Sequence, residues 1–151
     1  MKRIHLHAGL ALALLGVQVP AAAGELLVGN KSADTLWRLS LEDGRKLGEA
    51  PTAPGPHEIA VSPDGTLAVV SEYGRQAPGH TLGVYGTDTG TLLRRIDLGV
   101  HGRPHGMRFE ADGRHLLATT EASDALLRVD LDGKVERVFD LGPGKGHMVA
   151  L

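Results

Sequence analysis

Three histidines, His57, His105 and His147, recur in related surroundings along the chain. Pro56-His57-Glu58-Ile59-Ala60-Val61-Ser62-Pro63-Asp64-Gly65 matches Pro104-His105-Gly106-Met107-Arg108-Phe109-Glu110-Ala111-Asp112-Gly113, and Gly146-His147-Met148-Val149-Ala150 begins a third copy. Neutral imidazole suits zinc, copper and iron, so three that converge form a metal-competent set. The plainer reading is that duplication repeats a structural histidine, each ring bonding a neighbouring unit's backbone. Glu72 and Glu121 close two apolar runs, with Asn30 in that slot of the first unit. Such carboxylates could hold a divalent cation or act as acid and base on a lactone or sugar; alternatively they accept hydrogen bonds from loop N–H groups. Arg103, in the loop His101-Gly102-Arg103-Pro104-His105, suits a ligand carboxylate or phosphate, or is a solvated loop charge. The loop Arg75-Gln76-Ala77-Pro78-Gly79-His80 is longer than its counterparts, and loops are where a rigid scaffold carries recognition. Glu58 adjoins His57, but strand alternation sends it to the opposite face. The candidates are therefore His57, His105, His147, Asn30 and Arg103 for binding, Glu72, Glu121 and His105 for catalysis, and the three histidines for a metal.

Other chemistries are excluded. The 151 residues contain no Cys, which removes thiolate zinc sites, disulfides, cysteine nucleophiles and covalent c-type haem attachment. No Gly-x-x-x-x-Gly-Lys-Ser/Thr loop, His-Glu-x-x-His pair or Gly-x-Ser-x-Gly elbow occurs. Gly142-Pro143-Gly144-Lys145-Gly146 is glycine-rich, but Pro143 removes a donor and no helix follows, so it reads as a turn. Lys and Arg number 16 against 18 Asp and Glu, which leaves no basic footprint for nucleic acid.

The elements that must position these residues are short strands. Asp43-Gly44, Asp64-Gly65, Asp112-Gly113 and Asp132-Gly133 each separate alternating apolar runs, a strong hairpin signal because both turn residues tolerate φ > 0. Asp34 to Gly44, His80 to Gly90 and Ser123 to Gly133 are three further matching segments. A unit of four strands repeated at this period points to propeller blades, so the fold class is all-β, with four-stranded antiparallel blades. The pattern assigns three strands to 25–50, full blades to 57–98 and 105–141, and the first strand of another blade to 147–151. Trp37, Tyr73, Tyr85, Phe109 and Phe139 fall at repeat positions and read as inter-blade core.

Pro56 to Gly65 followed by Ala68-Val69-Val70-Ser71-Glu72 resembles the YVTN-type β-propeller repeat, although the Tyr-Val-Thr-Asn tetrad itself is degenerate here. The resemblance covers 25–151 and implies a ring of about seven blades. It therefore implies that the remaining blades come from a longer chain or from self-association. Because the repeat is clear and no motif fixes a nucleophile–base pair, the leading expectation is a non-catalytic propeller that binds an unknown small molecule or protein at its loop face and channel mouth. Lactonase-like propellers imply an alternative hydrolase using Glu72 or Glu121 with His105 and Arg103. The haem-carrying propellers of periplasmic nitrite reductases imply another, with His57, His105 or His147 on iron in electron transfer.

Lys2 and Arg3, the apolar run Ala8–Val19 and Ala21-Ala22-Ala23 form the n-region, h-region and cleavage site of a secretory signal over 1–23, cut after Ala23. Twelve residues in that run rise about 18 Å as a helix, short of a bilayer core. The expectation is a periplasmic or secreted chain with no membrane span after cleavage.

Overall fold

Short alternating runs joined by Asp-Gly turns can bury an apolar face only by stacking one sheet on another. Residues 24–151, the part described by the computed structural model, do this; the signal sequence expected over 1–23 lies outside the described residues. Eleven strands follow in order: β1 (Glu25–Asn30), β2 (Thr35–Ser40), β3 (Lys46–Pro51), β4 (Pro56–Val61), β5 (Leu67–Gly74), β6 (Pro78–Gly86), β7 (Leu92–Asp97), β8 (Pro104–Phe109), β9 (His115–Thr120), β10 (Ala125–Asp130) and β11 (Val135–Asp140). They form three antiparallel meanders, β1-β2-β3, β4-β5-β6-β7 and β8-β9-β10-β11. Each of the four Asp-Gly turns places its glycine at positive φ, from 66° at Gly113 to 104° at Gly133.

The middle blade is buried on both faces, so its central strand reads as a continuous apolar run. Val69, Leu82, Val84 and Ile96 pack against Phe109, Leu116, Leu127 and Val129 of the third blade. On the other side, Val70 and Tyr85 pack against Leu36 and Ala50 of the first. Fully burying such side chains contributes about 1.5–3 kcal/mol each. Tyr85 completes its burial by donating to the Pro51 carbonyl at 3.0 Å, and burial pushes its phenol up to about 12. Of the other aromatics expected in the core, Phe109 is buried, whereas Phe139 is 43% exposed. Trp37 lies under the Lys46 ammonium, and Tyr73 faces the histidines instead.

Two features of β4 and β8 depart from simple alternation. Pro56 pairs with Glu72 but Ile59 pairs with Val70, so one extra residue enters β4. Pro104 pairs with Thr120 and Met107 with Ala118, so β8 carries the same bulge. A bulge re-aims side chains and reverses the faces beyond it. Hence Ala60 faces the core while Val61 is 48% exposed, and Glu58 stays on the side of His57 instead of opposing it. Residues 147–151, expected to open another blade, form no strand. They lie against β8, where the Gly106 N–H donates to the His147 carbonyl at 3.0 Å. Glycine is needed there, because a Cβ at residue 106 would collide with the His147 and Met148 backbone.

Candidate functional site

The inner strands β4 and β8 lie side by side, with β1 next to β4, which brings together residues spaced far apart in the chain. His57 and His105 follow the leading prolines of β4 and β8, and the bulges turn both rings toward one end of the strands. His147 arrives on the segment seated over Gly106. The three imidazoles form a column with centroids 4.1 Å apart for His57–His105 and 3.9 Å for His105–His147. Tyr73 closes one side, 5.0 Å from His57 and edge-on to His105 at 5.8 Å.

Glu121 ties the column together. Its Oε2 accepts a 2.6 Å hydrogen bond from the Tyr73 hydroxyl, and its Oε1 accepts from His147 Nδ1 at 2.9 Å. His105 Nε2 is 3.8 Å from the same Oε1, beyond hydrogen-bond reach. The Tyr73 hydrogen bond, with a further one from His147, holds the Glu121 carboxyl below its ordinary value. That same bond to Glu121 raises the Tyr73 phenol. Burial lowers the His105 pKa, and the nearby His57 and His147 imidazoles lower it further. His105 is only 3% exposed, yet its Nδ1 finds no hydrogen-bond partner among the described residues, and neither does His57 Nδ1. Glu58 Oε1 is 3.6 Å from His57 Nδ1, so the residue that alternation sent to the far face joins the column's edge.

Glu72 is elsewhere. Its carboxylate accepts from the Ala53 N–H at 2.8 Å, the Thr81 hydroxyl at 2.5 Å and Arg95 Nε at 3.1 Å. It is 1% exposed. With its oxygens taken up by these donors, it clasps the linker between the first two blades. The strand register explains the difference: Glu72 pairs with Pro56 and Thr120 with Pro104. The counterpart of Glu72 is therefore Thr120, and that of Glu121 is Tyr73. Reading Glu72 and Glu121 as equivalent slips by one residue, which swaps strand faces. Asn30 does share the slot of Glu72, and its Nδ2 donates to Thr35 Oγ1 at 3.2 Å.

Arg103 reaches the column's rim. It takes a positive φ of 57°, stacks its guanidinium 4.8 Å from the Tyr73 ring centroid and donates to the Arg75 and Gln76 carbonyls. It thus braces the long loop, which roofs a groove of about 540 Å³ lined by Ala53, Pro54, Glu72 and residues 74–81. His80 and His101 stay apart, bonded to Asp97 and Ser123. His115 sits in a second acidic cluster, where Arg114 and Arg128 already pair with Asp130 and Glu136.

Sequence reasoning overlooked two clamps. Asp34 and Asp124 adopt φ of 56° and 47°, which aspartate tolerates better than most residues. Each caps the loop leading to the next unit, Asp34 accepting from the Gly55 N–H at 2.8 Å and Asp124 from the Lys145 N–H at 2.9 Å. Both bonds span 21 residues, a match that only the structure displays.

As to the groups the column could hold, His105, Glu121 and His147 each present a ligand atom, all within 4.8 Å of one another.

No known family pattern matches the sequence, and no curated protein matches it. Solved structures share the fold. Hydrazine synthase from Kuenenia stuttgartiensis superposes with a TM-score of 0.73 at 16% identity, over 90% of this chain and 41% of that one. The WD40 repeats of RRP9 superpose with a TM-score of 0.65 at 15% identity, over 76% of this chain and 34% of that one. The chain spans less than half the length of either. Its fold is that of a β-propeller, with antiparallel sheets as blades.

Proposed function

We propose that this chain is a non-catalytic, exported propeller module of the YVTN type that binds a ligand at the mouth formed by His57, His105, His147, Tyr73 and Glu121. The observation that carries the reading is the pair of imidazole nitrogens, on His57 and His105, left without partners inside a packed polar column. Buried polar groups are ordinarily paired, and exceptions gather where a site awaits a ligand. The groove under the long loop adds a recess beside the mouth. Binding is favoured over lactone hydrolysis because the oxygens of Glu72 are taken up by the donors around it and Glu121 is held as a carboxylate by Tyr73 and His147, which suits electrostatic recognition better than proton donation. Export rests on the Lys2-Arg3, Ala8–Val19 and Ala21–Ala23 pattern, and a mature N-terminus at Gly24 checks it.

The test is a titration of histidine-labelled protein with phosphate, acetate and a sugar lactone, followed by the imidazole carbon-bound proton resonances. Saturable movement of the His105 and His147 signals, with the lactone recovered intact, is the expected result. Lactone consumed at a rate abolished by Glu121→Gln would replace binding with hydrolysis. Unmoved signals with every probe, metal ions included, would end the reading.

A further inference from the structure

We propose that His105, His147 and Glu121 bind one divalent first-row transition ion, zinc or copper, with an open coordination position facing solvent. The inference rests on the mouth's being a binding site and names the class of its ligand.

The donor set comes first. Two imidazoles and a carboxylate, with no thiolate anywhere in the chain, suit zinc or copper and leave a fourth position open. Bond lengths of 2.0–2.2 Å to nitrogen and oxygen require ligand atoms roughly 3.4 Å apart in a tetrahedron. Glu121 Oε1 lies 2.9 Å from His147 Nδ1 and 3.8 Å from His105 Nε2, each within about half an ångström of that spacing, and all three ligand atoms lie within 4.8 Å of one another. The accompanying change is a tautomer shift: the His147 proton leaves Nδ1 for water while the exposed Nε2 takes one from water, so the ring stays neutral and offers its Nδ1 lone pair to the ion.

His105 supplies the independent observation. Its side chain is 4% exposed, and neither ring nitrogen makes a hydrogen bond to the described residues. A neutral imidazole carries one lone pair, and with the proton on Nδ1 that lone pair sits on Nε2, 3.8 Å from Glu121 Oε1 with no hydrogen-bond donor on it, where an ion would take it. Glu121 is already oriented by the Tyr73 hydroxyl, the outer-shell support that metal-binding carboxylates use. His147 leaves the way in open, its side chain being 63% exposed.

The two clusters around His115 differ. His115 bonds Asp112, while the Asp130 and Glu136 near it are neutralised by Arg114 and Arg128. At the mouth the cationic groups stay off Glu121, since Lys31 and Arg103 lie over the Tyr73 ring.

The full chain, stripped with a chelator, is titrated with cobalt as a visible-absorption probe and with zinc by calorimetry. Expected are one equivalent of cobalt with ligand-field bands, displacement by zinc, and an affinity lowered about 100-fold or more by His147→Gln and by Glu121→Gln, beyond the loss typical of an outer-shell change. His115→Gln and His80→Gln should bind as the parent does. His147→Gln alters an exposed side chain, so its result stands even if Glu121→Gln folds poorly. No saturable binding, or binding untouched by His147→Gln, overturns the site. If the metal fails while phosphate, acetate or lactone moves the His147 signal, the metal site falls and the binding reading stands.

Discussion

Glu72 and Glu121 occupy adjacent positions of the repeat in neighbouring blades, one residue apart in register, and their surroundings could hardly differ more. Glu72 is enclosed and accepts from a backbone amide, a hydroxyl and a guanidinium. Glu121 shares its oxygens between a phenol and an imidazole and keeps an incompletely bonded His105 at its side. The first arrangement is finished and has nothing left to offer a ligand. The second contains donors and acceptors that only a further group can complete. A repeated backbone thus produced a joint between blades at one site and a receptor at the other, and the switch between them is a single residue of register.

The comparison breaks most readily at the joint. Glu72→Ala leaves the Ala53 amide, the Thr81 hydroxyl and Arg95 without their acceptor. Arg95 is 40% exposed and rehydrates, so the loss expected is about 3 kcal/mol, the lower end for a broken buried charge pair. A fall in the urea midpoint with unchanged slope is the measurement. A loss under about 0.5 kcal/mol, the range of ordinary surface substitutions, would mean that Glu72 is not a clasp. Tyr73→Phe is the matching probe at the mouth. It removes one hydrogen bond to a carboxylate, about 1.5 kcal/mol, and should raise the Glu121 pKa while the Arg103 stacking persists on the phenyl ring. An unmoved Glu121 titration would show that Tyr73 does not orient it.

Much of this was legible in the residues. The four Asp-Gly turns, the matching runs and the recurrent Pro-His pairs give the blades and their order, because hairpin chemistry is local. The convergence of His57, His105 and His147 followed from their shared slot. What alternation alone missed were the bulges in β4 and β8: one inserted residue has no local signature, yet it exposes Val61 and moves Glu58 beside His57. Pairing Glu72 with Glu121 was a separate slip, since both blades carry the bulge at the same place. The 48-residue offset from His57 to His105, carried forward, sets Tyr73 against Glu121 and Glu72 against Thr120. The partners of Glu72 stayed hidden because Ala53, Thr81 and Arg95 come from separate elements, and only the closed stack of blades brings them together.

The smallest effect is a pH dependence, and its sign separates the two carboxylate sites. Burial holds the His105 pKa below 6.5 in the folded protein, against an ordinary value in the unfolded chain. Below 6.5, therefore, the unfolded chain binds a proton that the native column rejects. Stability present above that pH is lost as the pH falls toward the folded pKa. Glu121, its carboxyl held below 4.5, acts lower down: its contribution is full above 4.5 and is lost as the pH falls through its folded pKa. His57, His147, Glu58, Glu121 and Tyr73 are the titratable groups facing His105, and of these the two carboxylates oppose the shift without cancelling it. In metal-free protein the urea midpoint should fall between about pH 7.5 and about pH 5.5, and His105→Gln should flatten that slope. Glu72→Gln should lower the midpoint at every pH and leave the slope alone, since no imidazole touches the clasp. If His105→Gln left the slope as steep as before, the proton linkage would lie outside the column and the contrast between joint and receptor would lose its electrostatic half.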